Sequence, residues 1–444
     1  MKYIKLKIHE SFAEEKKYTA DIISDFTGVN FIIEYHKDPY YKMTLSNGKT
    51  ISIQDEFFFG LGNNNSYIEE KFIPYDISYV SYDYLNKIPV IYGSGRLDIK
   101  NEGAYLGADI FGSIFFLISR WEEAAIKDKD DHGRFPGNLS LAVKHKFIDR
   151  PVVDEYIGLL KSLIKKYDPS IEFKDHNTQI QLSCDVDSFE LFTPGKTVRL
   201  FAGHLLKRHN PLLFVKDVFR YLRKLAGGKD PYDKFSEIFR LAQKTGHKPI
   251  FFILTSPEGP YNDGWFKKTG KDINIFKNLI LQGAKAGLHY GYFSLLNENN
   301  IRGEKFELER KYQTGINAGR AHFLQFDIRS SFSILEKSGI KEDHSLGYSR
   351  HPGFRCGTGR AFKPWDFDNR KAYDIIERPL IVMDTTLYDH KNMSKELIIK
   401  ELQHFIEVAY RNKADLNLLL HNSSPEAVFE AFEEVFNKFE NYNE

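Results

Sequence analysis

Two aspartates one residue apart, Asp185 and Asp187, close the run IQLSCDVDSFE between residues 180 and 190. The apolar residues before them read as a buried strand, and carboxylates at a strand end are unfavourable to bury unless they bind a cation or transfer protons. Strand side chains alternate in direction, so positions 185 and 187 share one face and point into one site. Two carboxylates this close repel each other, and a bound cation is the simplest relief. The competing reading is a turn or helix cap, because aspartates after strands accept backbone N–H bonds.

Two imidazoles and one carboxylate make a three-ligand set for a divalent metal and leave coordination positions open for water and substrate. The candidates are Asp187, His289 at the end of AGLH, and His322 inside AHFLQF. No short HxxxH spacing ties the two histidines together, and either one alone also reads as a hydrogen-bonded structural histidine. With Asp187 on the metal, Asp185 becomes the base that takes a proton from a water whose pKa the metal lowers towards ~7. His421, in LNLLLHNSS, is the candidate general acid for a leaving amine, against the alternative of a buried histidine bonded to its surroundings. Asp384, which ends PLIVMD, is available to hold that imidazole in one tautomer and keep it protonated.

Arg355, in HPGFRCGTGR, sits between Gly353 and Gly357, where the backbone can turn tightly and aim a guanidinium. It is expected to brace Asp185 or an anionic substrate group, with a plain salt bridge as the alternative. Of the two cysteines, Cys184 points away from the aspartate pair in an extended strand and reads as core, while Cys356 lacks a neighbouring base in sequence. There is no GxxxxGK[ST] loop and no GxGxxG after a strand, which removes support for nucleotide hydrolysis and nicotinamide chemistry.

The elements that must position these residues fall into two parts. Residues 1–170 are rich in Tyr, Phe and Ile, with strand-like alternation in KYIKLKI and KTISIQDEFFF and turns at SNGK and GNNNS. GADIFGSIFFLISRWEEAAI (107–126) and VVDEYIGLLKSLIKKY (152–167) carry helical spacing. This part reads as a smaller α+β domain, with a boundary at DPSIEFKDHNT. From 178 to 444, strand-like runs (IQLSCDVD, PIFFILT, AGLHY, AHFLQFD, PLIVMDTTL, LNLLLHNSS) alternate with helical patterns. That alternation predicts a mainly parallel sheet flanked by helices, and its length suits a barrel unit of ~250 residues. Asp185, Asp187, His289, His322, Arg355, Asp384 and His421 each lie within or just after such a run, and parallel folds gather their active sites at the C-terminal strand ends.

The 444 residues are 42% hydrophobic, enough for a large core, and 62 Lys and Arg balance 61 Asp and Glu to a formal charge of +1. No global attraction to nucleic acid or an anionic membrane follows from that balance. The segment around 196–226 is the exception, interleaving basic and apolar residues at helical spacing, as a solvated helix face or one that touches an anionic substrate or membrane surface. The first 18 residues lack the apolar core of a secretory signal and no run approaches a membrane span, so the expected location is cytoplasmic.

Taken together, SCDVDSF, AGLHYGYFS, AHFLQFD, GYSRHPGFRCGTGRAF, PLIVMDTTL and LLLHNS resemble the polysaccharide deacetylases of the carbohydrate esterase 4 type. The likeness is to a divergent branch associated with bacterial surface-polysaccharide gene clusters and spans roughly residues 178–440. The segments DIFGSIFFLISRWEE and DDHGRFPG look like the accessory domain that precedes the deacetylase domain there. The resemblance implies a distorted (β/α) barrel, zinc or a similar divalent ion, and hydrolysis of N-acetyl groups on sugars. It matches Asp185 to the base, Asp187 and His289 to metal ligands, Arg355 to the third-motif arginine, Asp384 loosely to the fourth motif and His421 to the acid. One departure is local: the usual second histidine falls four residues after the first, where this chain has Phe293, and His322 is the candidate replacement. The expected activity is therefore N-deacetylation of an acetamido sugar in a surface polysaccharide or its precursor. The alternatives are a non-catalytic carbohydrate-binding or scaffolding member of the fold and an amidase on a small non-sugar amide.

Overall fold

The computed structural model describes residues 3–62, 67–206, 209, 211–255 and 271–438. The chain forms two compact units: Met1–Gln179 with Phe323–Ile381 and His404–Asn417, and Ile180–His322 with Val382–Gln403 and Leu418–Glu444. The break at 179/180 adjoins the expected boundary. The second unit is not continuous, however, because 323–381 and 404–417, read from sequence as barrel, join the first unit.

In the first unit, β1 (Tyr3–His9), β2 (Asn30–His36), β3 (Tyr40–Thr44), β4 (Thr50–Gln54), β7 (Gly93–Lys100) and β8 (Gly103–Ala108) form one sheet in the order β2-β1-β3-β4-β8-β7. A separate hairpin joins β5 (Ser78–Tyr82) to β6 (Leu85–Val90). Alternation sets the buried face, with Ile4, Leu6 and Ile8 fully buried along β1. The helices are α1 (Ala13–Thr27), α2 (Phe57–Leu61), α3 (Ile110–Ile118), α4 (Trp121–Ala125), α5 (Leu141–Lys144) and α6 (Val152–Tyr167). Later segments of the unit add α12 (Ser331–Lys337) and four two-residue strands, β13 (Glu342–Asp343), β14 (Trp365–Asp366), β15 (Lys371–Ala372) and β16 (Ile376–Glu377).

Two elements depart from the sequence reading here. The strand in KTISIQDEFFF ends at Gln54, and the following phenylalanines turn into α2 because the Asp109 carboxylate accepts the N–H groups of Glu56 and Phe57, both at 2.9 Å. The single helix expected over 107–126 is two, broken where Arg120 takes a left-handed φ of 58°. The break lets the Arg120 guanidinium turn inward onto Glu122 (2.7 Å) and Glu123 (2.8 Å).

The second unit is the open (β/α) barrel that the alternation predicts. Its strands are β9 (Ile180–Val186), β10 (Ile250–Leu254), β11 (Lys285–Tyr290), β12 (Ala318–Ala321), β17 (Val382–Met383) and the second half of β18 (Leu416–Leu419), which run in the order β12-β11-β10-β9-β18-β17. The pairs β9–β10, β10–β11, β11–β12 and β17–β18 are parallel, so their C-terminal ends share one edge. Intervening helices include α7 (Pro194–Leu206), α8 (Pro211–Leu225), α9 (Phe235–Lys244), α10 (Lys271–Leu281) and α11 (Glu298–Tyr312), while α13 (Lys395–Asn412), of which only the part up to Gln403 belongs to this unit, precedes β18 and α14 (Glu426–Asn437) follows it. Strand β10, IFFIL, is buried at every position, as a strand covered on both faces must be. Among the described residues, no helix is long and apolar enough to cross a membrane.

Candidate active site

Parallel register brings the chemical residues level with one another. Asp185 of β9 stands beside Phe252 of β10, and His289 of β11 lies between Leu254 of β10 and Arg320 of β12. Gly287 makes room in this layer, because a Cβ there would meet the Phe252 ring at 2.5 Å. The Arg320 guanidinium in turn lies over that ring, 4.4 Å from its centroid.

Asp187 follows the end of β9 and remains 38% exposed, while His289 and His322 are buried. Its Oδ1 lies 3.3 Å from His289 Nε2 and 3.7 Å from His322 Nε2. One ligand atom from each of the three residues falls within 4.8 Å of the others. Ligands about 2.0–2.1 Å from a tetrahedral ion stand roughly 3.3 Å apart, so the two separations from Asp187 lie close to what a divalent cation asks of its ligands. The His289 ring is held in the orientation a ligand needs, since Nδ1–H donates to the Arg320 carbonyl at 2.9 Å and so directs Nε2 to the carboxylates. Burial pulls the His322 pKa down to about 4, helped by the neighbouring His289 and His421 charges against the pull of Asp187 and Asp185, leaving a neutral imidazole of the ligating form at neutral pH. For Asp187, packing pushes the pKa upward, but His289 and His322 hold it below the usual carboxylate range.

Asp185 is buried beside this trio, its Oδ2 3.8 Å from His289 Nε2. Its other oxygen accepts from Arg320 Nη1 at 2.8 Å, and the same nitrogen donates to Ser183 Oγ at 2.9 Å. Arg320 follows no motif in the sequence, although an arginine inside the small-residue strand AGRA is a signal, since a strand buried at all four positions does not house a guanidinium without a partner.

Arg355 has other partners. It belongs to the first unit, where Nε donates to Glu123 Oε1 at 2.8 Å, Nη2 donates to Glu123 Oε2, and Nη1 donates to the Gly347 carbonyl at 2.8 Å. The expectation that it braces Asp185 is corrected: the glycine-flanked arginine is committed to Glu123, and Arg320 makes the bond to Asp185.

Asp384 and His421 leave the neighbouring ends of β17 and β18. His421 Nδ1 lies 2.7 Å from Asp384 Oδ1, and its backbone N–H donates to Oδ2 at 2.6 Å. The Thr385 N–H (2.7 Å) and the Ser424 hydroxyl add two more donors to the same carboxylate. Asn422 anchors the loop by donating to the Ser188 and Tyr232 carbonyls, each at 2.9 Å. Burial acts to lower the His421 pKa, but Asp384, by charge and hydrogen bond, with Asp187 and Asp185 behind it, raises it to about 10. Cys184 is buried in β9, and burial with the charge of Asp185 drives its thiol pKa well up, so it is an unreactive core residue.

His322 illustrates a further difference from the sequence reading. The strand expected across AHFLQFD stops at Ala321, and His322 opens a tight turn in which Phe323 and Leu324 take left-handed φ values of 59° and 53°. Two consecutive non-glycine residues in that region are costly, and such strain is found where structure holds a side chain in place.

Known proteins provide a further set of observations. A family model described as a family of unknown function (DUF7033) matches residues 4–169. No curated protein matches the chain. Among solved structures it is similar to a candidate polysaccharide deacetylase from Mycobacterium smegmatis, at 13% identity over 60% of this chain and 86% of that one, with a TM-score of 0.38. A peptidoglycan N-acetylglucosamine deacetylase is 14% identical over 61% of this chain and 85% of that one, with a TM-score of 0.30. A carbohydrate esterase 4 pseudoenzyme from Bacillus anthracis is 10% identical over 60% and 61%, with a TM-score of 0.28.

Proposed function

We propose that the second unit is a metal-dependent hydrolase that removes N-acetyl groups from an acetamido sugar of a surface polysaccharide or its precursor. The observation that carries this reading is the convergence, at one edge of a parallel sheet, of a ligand trio, an arginine-braced carboxylate and a carboxylate-held histidine. A divalent cation, zinc in the first instance, held by Asp187, His289 and His322 would polarise a carbonyl and acidify a water.

The chain's own residues divide the proton transfers. Asp185, oriented by Arg320, takes a proton from the attacking water as the oxygen bonds to the acyl carbon. His421, kept protonated at Nδ1 by Asp384, has Nε2 to donate to the sugar nitrogen as the C–N bond breaks. Amide and water thus become acetate and a free amine, with one proton accepted and one delivered. The separation of the two jobs follows from environment: a carboxylate ion-paired with arginine stays a base, and an imidazole beside a carboxylate stays an acid.

The test is acetate release from chitooligosaccharides by the zinc-loaded protein. The wild type releases acetate, and Asp185→Asn, which preserves shape and removes the base, loses about 10²–10⁴-fold in turnover. Wild-type protein that binds these sugars without releasing acetate would overturn the hydrolase reading.

A further inference from the structure

Helix α8 turns Asp217 inward against α7 and an apolar stripe outward. Between the two helices His204 Nε2 lies 2.9 Å from Asp217 Oδ2, both side chains buried, and Phe201 packs edge-on to Phe214 with ring centroids 5.5 Å apart. On the opposite side of α8, Leu212, Val215, Phe219 and Leu222 follow a 3-4-3 spacing that makes one stripe, and all four are between 48% and 83% exposed. A stripe of that kind on a soluble helix is ordinarily the face against the core.

The charge around it is equally one-sided. Residues 196–229 carry nine Lys and Arg against one acidic residue, Asp217, in a chain whose total charge is +1. At about 100° per residue, Lys216, Arg220 and Arg223 fall along one margin of the stripe. Asp217 offsets Arg220 at 3.0 Å, while Lys216 and Arg223 are solvent-exposed. An exposed apolar stripe bordered by cations is the pattern of a helix that lies in a membrane interface, apolar side in the acyl boundary and cations at the headgroups.

We propose that this face of α8 docks on an anionic lipid bilayer. A second copy of the chain is the poorer occupant, because pairing two such faces would bring like charges together. A purely acidic polymer would meet the cations but leave the apolar stripe in water. The docking would hold the protein at a lipid surface, and it stands independently of the hydrolase reading.

The test is co-sedimentation of the full-length protein with vesicles at low and high salt. Vesicles of equal parts phosphatidylglycerol and phosphatidylcholine should take up the protein at least about tenfold better than pure phosphatidylcholine, with salt weakening the uptake. Lys216→Glu/Arg223→Glu and Phe219→Glu/Leu222→Glu, all at exposed positions, should each reduce uptake by about tenfold or more. Uptake that is absent from the anionic vesicles, or equal on both kinds, overturns the proposal without reference to any variant. So does wild-type protein that ignores vesicles but self-associates, with Phe219→Glu/Leu222→Glu restoring the monomer; that outcome assigns the face to a second copy.

Discussion

Two buried arginine–carboxylate pairs, one in each unit, look alike in type and differ in what surrounds them. Arg355–Glu123 in the first unit is closed on itself: Arg355 also bonds the Gly347 carbonyl and stacks over Tyr348 at 4.8 Å, and Glu123 also accepts from Arg120. Burial pushes the Glu123 pKa up, but Arg355 and Arg120 together hold it at about 2, so its charge is fully compensated. Arg320–Asp185 in the second unit instead adjoins His289, at 3.8 Å from Asp185, and beyond it the partly exposed Asp187. A pair enclosed in further bonds of its own is built to hold structure. A pair that leaves a carboxylate edge facing imidazoles can do chemistry.

Substitutions should separate the two pairs by what they cost. The largest effect on turnover belongs to Asp185: with Asn in its place, acetate release per folded molecule should drop about 10²–10⁴-fold, beyond any loss of stability from leaving Arg320 short of its carboxylate, and near-normal turnover would remove it from the chemistry. Next, Arg355→Met should destabilise by about 3–5 kcal/mol, measured by urea unfolding, because Glu123 is left as a buried charge short of a partner. Turnover per folded molecule should hold; a selective loss of turnover with stability intact would return Arg355 to the site. Asp384→Asn should slow turnover by about 10–100-fold, a range typical of a group acting through its neighbour.

The Asp384–His421 pair also has a pH signature. The folded-state pKa of His421 is raised, so the pair's contribution to stability is fully present below the unfolded value near 6.5 and is lost as pH rises through about 10. Unfolding of wild type and Asp384→Asn followed across this window should show the gap closing towards the alkaline end; a gap that widens would mean the imidazole is not the protonated partner. The smallest effect concerns the thiols. Cys184 and Cys356 are buried with raised pKa values, so iodoacetamide should leave the native protein unlabelled and its activity unchanged.

How far the sequence exposes all this depends on whether the determinant is local. The spacing of Asp185 and Asp187, and histidines at the ends of apolar runs, are local facts, and parallel strands convert them into one edge without further information. Arg320 was hidden because its meaning lies in Asp185, 135 residues away in the chain. Arg355 misled for the converse reason: its glycine-rich setting is conspicuous locally, but its partner Glu123 lies 232 residues earlier. The return of 323–381 to the first unit was likewise invisible, since periodicity reports which face is buried and not which core buries it. The left-handed turn after His322 carries no glycine to announce it.

The central claim is that Asp187, His289 and His322 form one metal centre. Equilibrium dialysis against zinc, with bound metal counted per chain, tests it most directly. The wild type should retain about one ion, and His289→Ala and His322→Ala should each lose most of it, by at least about tenfold in affinity. Equal zinc content in the wild type and both variants would contradict the account.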